Sequence, residues 1–172
     1  MVGNHGAIRF DLEKKASAFL DMLYCSLGGE IIKDAPKRKF DDWDKVVKFE
    51  NITYKIEEKT RVGLWEDLLV ELIEDLKTGD LGWFYQTKAD KIIYCFYESE
   101  KAKEPESIYA LSVEKMRNFV FEHTKKLIRK SNISSKGYGL TLNIFIPLTI
   151  AKKIYPIKAR DRQGNLLLAD KA

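Results

Sequence analysis

Leu12, Ala16, Phe19, Leu20 and Leu23 recur at three- and four-residue steps, which predicts a helix with Asp11 as its N-cap, ending at Gly28-Gly29. After a short β-branched stretch at Ile31-Ile32 and a basic, proline-containing loop from Pro36 to Lys39, the pattern changes. Two strand-like runs, about Asp44 to Phe49 and Ile52 to Thr60, flank the polar pair Glu50-Asn51 and predict a hairpin. Trp65, Leu68, Leu69, Leu72, Ile73 and Leu76 then fall on one face at helical spacing, so a second amphipathic helix is expected, closed by Gly79. The run Ile92-Ile93-Tyr94-Cys95-Phe96-Tyr97 is too apolar for an edge and belongs in the middle of a sheet. Ile108 to Leu111 reads as a strand, followed by a helix capped by Ser112 with Val113, Met116, Val120, Leu127 and Ile128 facing inward. Leu140 to Ile146 is a further strand ended by Pro147, and Tyr155 to Leu168 reads as a hairpin around Gln163-Gly164-Asn165. This order predicts an α/β protein with a mixed central sheet flanked by helices.

Composition sets the outer limits. With 172 residues, 45% hydrophobic and 33% charged, the chain suits one domain spanning 1–172, with 1–10 flexible and 152–172 as a hairpin appendage. Thirty Lys and Arg against 26 Asp and Glu give a net charge of +4, a balance that suits a polyanionic partner. No apolar run is long enough for a signal peptide or a membrane span, so a cytoplasmic protein without membrane contact is expected. Cys25 and Cys95 stand alone in apolar surroundings and read as buried free thiols, outside any disulfide or zinc site. His5 and His123 lack the setting of a catalytic base. The absence of Gly-x-Ser-x-Gly and of a phosphate-cradling glycine loop argues against a serine hydrolase and a nucleotide triphosphatase.

The candidate chemistry lies in the hairpin. Glu57 and Lys59 occupy positions i and i+2 of one strand and therefore share a face, where Asp44 from the neighbouring strand could meet them. Phosphodiester hydrolysis needs a divalent cation held by hard oxygen ligands, and a lysine can neutralise charge on the phosphorane or help activate water. Asp44, Glu57 and the backbone carbonyl of Glu58 form such a ligand set, suited to magnesium or manganese, and Lys59 supplies the cation. Glu-x-Lys by itself arises readily by chance in so charged a chain; the strand context and the nearby aspartate give it weight.

Asp44 followed by Glu57-Glu58-Lys59 resembles the signature of the PD-(D/E)xK nuclease superfamily, which has the restriction-endonuclease-like fold. Glu57-Glu58-Lys59-Thr60-Arg61, Asp67-Leu68-Leu69-Val70-Glu71-Leu72 and Gly82 to Asp90 further resemble uncharacterised nuclease-like proteins of bacteria and phages, the likeness covering about Asp44 to Tyr97. The resemblance implies magnesium- or manganese-dependent cleavage of DNA by an endonuclease, with Asp44 and Glu57 as ligands and Lys59 as the catalytic lysine. Trp43 stands where the family has proline, and Glu58 stands where it has an apolar residue facing the core. Either Glu58 lies at an open edge, or the register slips and Glu58 itself is the ligand; Asp41 and Asp42 are alternatives to Asp44 if the strand begins earlier.

Further candidates surround this set. Glu13 sits where some enzymes of the resembling fold supply an additional acid, against the plainer reading of a solvated helix face. Glu71 and Asp67, spaced i and i+4, could approach the metal or pair with Arg61, and Gln86 or Lys88 could touch a phosphate. Lys37, Arg38 and Lys39 precede the acids, and Lys125 and Arg129 close the third helix with Lys126, Lys130 and Lys136 nearby. Both clusters could position a nucleic-acid backbone without reading bases. A catalytically inactive nucleic-acid-binding or partner-dependent protein on the same fold is the alternative, and a homodimer is one arrangement that would cut both strands.

Overall fold

The computed structural model describes residues 5–34, 43–63, 65–128, 132–136 and 139–154, with the backbone alone for 5–10, 33–34, 132, 134–136, 139 and 152–154. Helix α1 (His5–Ser26) begins ahead of Asp11, which therefore lies inside the helix instead of capping it. Leu12, Ala16, Leu20 and Tyr24, at four-residue steps, are its buried stripe. Cys25 falls one position off that stripe and is exposed, contrary to expectation, whereas Cys95 is buried; both are free thiols.

Strands β1 (Gly29–Asp34), β2 (Lys45–Phe49) and β3 (Ile52–Val62) form an antiparallel meander. The β2–β3 hairpin turns at Glu50-Asn51 as expected, with Glu50 in the left-handed region at φ 53°.

Residues 67–75 form strand β4 (Asp67–Asp75), where the apolar spacing predicts a helix. Leu68, Val70 and Leu72 point alternately into the core, and a register shift between Glu71 and Ile73 turns Ile73 toward it as well. That irregularity places adjacent apolar residues on one side and so imitates a helical stripe. Trp65 and Leu76, the ends of the expected stripe, are both exposed.

Strand β5 (Asp80–Leu81) and the single-turn helix α2 (Trp83–Gln86) lead to β6 (Lys91–Tyr97), which lies parallel to β3. Strand β7 (Ser107–Ser112) follows antiparallel to β6 and runs into helix α3 (Val113–Ile128). Ser112 Oγ accepts the Lys115 N–H at 3.4 Å, in keeping with its capping role. Val113, Met116, Val120 and Leu127 are buried, while Ile128, one position past Leu127, is exposed. Strands β8 (Asn132–Lys136) and β9 (Gly139–Pro147) form a hairpin, and helix α4 (Leu148–Ile154) follows it. The expected hairpin at Tyr155 to Leu168, and residues 1–4, lie outside the described residues.

The protein is thus α/β, with a mixed five-stranded sheet in the order β1-β2-β3-β6-β7 flanked by helices. A second, antiparallel sheet, β5-β4-β9-β8, is an addition to the expected architecture. One core lies between α1 and the first sheet, around Val47, Ile56, Ile93, Cys95 and Ile108. The other lies on the opposite face, where β4, β9, α2, α3 and α4 cover Ile92, Tyr94, Phe96 and Leu111. β6 is buried from Ile92 to Tyr97, as its apolar run requires of a strand covered on both faces.

Candidate active site

The site is built on β3, whose alternation separates its acids. Glu57 pairs in register with Ile92 and Lys59 with Tyr94, so both stand on the face of the second core. There the Lys59 ammonium forms an ion pair with Glu57. It also lies 4.6 Å from the centre of the Trp83 ring, a cation–π contact that fixes its position. Glu57 is only 8% exposed.

Asp44 joins them from the residue before β2. Its N–H donates to the Ile56 carbonyl at 2.7 Å, and its Oδ2 accepts the Glu58 N–H at 2.6 Å. The aspartate carboxylate therefore rests against the peptide that links Glu57 to Glu58. Asp44, Glu57 and Lys59 thus stand at the end of the hairpin away from its turn.

Glu58 faces the other way. Its carboxylate accepts the Tyr24 hydroxyl at 3.1 Å and lies 3.9 Å from the Lys45 ammonium. Lys45, itself buried, also pairs with Asp21 on α1 and approaches the Ser17 carbonyl at 3.5 Å. It is at no open edge, since β3 is paired with β2 and β6, and it stands on the opposite sheet face from Glu57. It occupies the core-facing slot with a lysine and a tyrosine as partners. Burial raises the Glu58 carboxyl to about 7, with the nearby Lys45 opposing the shift and Asp44 adding to it. The same burial, with the Glu58 charge behind it, pushes the Tyr24 hydroxyl upward. Sequence reading missed Lys45 and Tyr24. The signal was present in the β2 alternation, which puts Lys45 on the same buried side as Val47, diagonal to Glu58 across the hairpin.

The remaining candidates are dispersed. Glu13 is exposed on α1, which packs on the sheet face opposite Glu57. Arg61 donates to the Asp67 carbonyl at 3.0 Å and to its carboxylate at 2.7 Å, one of the pairings expected for it. Glu71 is buried on β4 opposite Asn143, not on a helical face. Its side chain lies against Gly82, where any added Cβ would collide with the Glu71 backbone. The Gln86 amide donates to the Leu81 carbonyl, and Lys88 is exposed. His123 is exposed and stacked on Phe119, with ring centres 4.4 Å apart. Lys125 and Lys126 are exposed in the last turn of α3. Lys37, Arg38, Lys39, Asp41, Asp42, Arg129, Lys130 and the Lys136 side chain lie outside the described residues.

Asp44 and Glu57 offer carboxylate oxygens, a donor set that suits a hard cation such as magnesium or manganese. Among the described residues, no three acidic, histidine or cysteine side chains are placed to hold one ion together. The Glu58 backbone carbonyl or a substrate phosphate would supply further oxygens. Also among the described residues, no helix is long and apolar enough to cross a membrane.

The fold and these residues together define an α/β protein with a carboxylate–lysine site at the end of a β-hairpin. Compared with known protein families, with curated proteins and with solved structures, the chain matches none.

Proposed function

We propose that this protein is a metal-dependent deoxyribonuclease of the endonuclease type, hydrolysing phosphodiester bonds at Asp44, Glu57 and Lys59. The observation that carries this reading is the placement of Lys59 beside Glu57 on one face, with the Asp44 carboxylate against the adjoining peptide. The resemblance to the PD-(D/E)xK signature supports it, as does an antiparallel three-strand meander followed by a strand parallel to the third.

Bound magnesium or manganese would polarise the phosphate and lower the pKa of the attacking water. Asp44 and Glu57 would hold the cation. Lys59, carried by Trp83, places a positive charge where the phosphorane becomes more negative, and the partly closed site strengthens that attraction. Lys59, paired with Glu57 and seated on Trp83, would hold its positive charge beside a phosphate bound at Asp44 and Glu57.

Supercoiled plasmid incubated with magnesium or manganese tests this. Cleavage is expected, is abolished by EDTA, and falls by at least about 100-fold in Glu57→Ala and Lys59→Ala proteins that keep their circular dichroism spectrum. Wild-type rates in those variants would remove the site assignment. The Glu57–Lys59 ion pair, which already satisfies the glutamate, favours a second reading: a nucleic-acid-binding protein without catalysis. DNA binding in EDTA together with no cleavage under either cation supports that reading over the first.

A further inference from the structure

Glu57, Lys59 and Arg61 follow one another on a single face of β3, each about 7 Å from the next along the strand. The last two each carry an indole: Lys59 lies over Trp83, and the Arg61 guanidinium lies 4.3 Å from the centre of the Trp65 ring. The rings differ in access. Trp83 packs against the core, whereas Trp65 is 50% exposed.

Trp65 is nevertheless held in place. Its Nε1–H donates to the Val62 carbonyl at 2.6 Å. Gly63, in the left-handed region at φ 101°, lies so close that a Cβ there would come within 2.7 Å of Nε1. Arg61 is in turn pinned by its two bonds to Asp67. A large aromatic ring is thus immobilised while half of it stays in water, where it adds little to the core.

We propose that Trp65, backed by Arg61, is a stacking platform for an unpaired nucleobase beside the cleavage site, so that the substrate is single-stranded at that point. The proposal rests on the nuclease reading for its substrate class. Bases inside a duplex cover one another and offer only their edges, whereas an unpaired base presents a π-face that an indole can receive. The charge of Arg61 is matched by Asp67, so the ring, rather than net positive charge, is what the platform offers. A strand whose base rests on Trp65 would run along β3 toward Lys59 and Glu57, the direction in which the candidate site lies.

Fluorescence anisotropy with labelled oligothymidine, oligouridine and a DNA duplex, all in EDTA, tests the platform without any cleavage. Trp65→Ala is expected to weaken both single strands about 5- to 150-fold and to leave duplex binding unchanged, while Trp65→Phe keeps most of the affinity. Unchanged single-strand affinity in Trp65→Ala, equal loss on the duplex, or no rescue by Trp65→Phe in folded proteins would overturn the platform. Selective single-strand loss in a protein that cleaves under neither cation leaves the platform standing and sinks the nuclease reading. Cation-dependent cleavage of a single strand that is equally fast in Trp65→Ala does the reverse.

Discussion

Lys45 and Glu58 meet on the α1 face of the sheet, where a lone charge would be costly and a compensated one can be kept. Removing only the lysine leaves the glutamate buried with hydrogen bonds from Ser17 and Tyr24 but without a neighbouring ammonium. Lys45→Met is therefore expected to destabilise the protein by about 3–5 kcal/mol in urea unfolding, and Lys45→Met with Glu58→Met to recover much of the loss. Equal losses in the single and double variants would contradict this. The raised Glu58 carboxyl makes a second, independent expectation. Its folded value of about 7 exceeds the ordinary 4.5, so the folded state binds the proton more tightly than the unfolded chain. The stabilisation this gives is complete below about pH 4.5 and is lost as pH rises through about 7, amounting to about 3 kcal/mol. Measured in EDTA, the stability of the wild type relative to Glu58→Gln should fall over that window; a difference that stays constant with pH would refute the burial account.

Strand β4 is where a local pattern and a long-range one compete. Leu68-Leu69-Val70-Glu71-Leu72-Ile73 satisfies a helical stripe through its doubled apolar pairs and a strand through its alternation. Pairing with β9, far along the chain, decides for the strand. Leu68→Ala should accordingly cost about 2–5 kcal/mol, whereas Leu76→Ala, at the edge of exposure, should cost well under about 1 kcal/mol. Comparable losses at both positions would favour a helical face. Elements whose partners are close in sequence, or whose composition permits one environment, were legible: α1, the β2–β3 hairpin, the central β6 and the Ser112-capped α3. The second sheet was not, because its β4–β9 pairing joins residues far apart in sequence and β5 is too short to carry a pattern. For the candidate site, the shared face of Glu57 and Lys59 follows from strand alternation alone. The Asp44 contact, the Trp83 support and the burial of Glu58 with Lys45 depend on neighbours that only the folded chain brings together.

Across the whole molecule, the five-stranded sheet keeps two sets of charges apart. Tyr24, Lys45 and Glu58 sit on one face, Glu57 and Lys59 on the other, and Asp44 reaches the peptide between the two glutamates. If Asp44 and Glu57 hold the cation, a ligand bound only by the folded state stabilises the entire domain, by about 2.7 kcal/mol at 100 times its Kd. That corresponds to a rise in Tm of roughly 5–10 °C for a chain of this size. Calorimetric titration with manganese tests the central claim most directly. One binding site is predicted in the wild type and in Glu58→Gln, whose altered side chain is on the far face, and none in Asp44→Asn or Glu57→Gln. Manganese binding undiminished in Glu57→Gln, or lost only in Glu58→Gln, would contradict it.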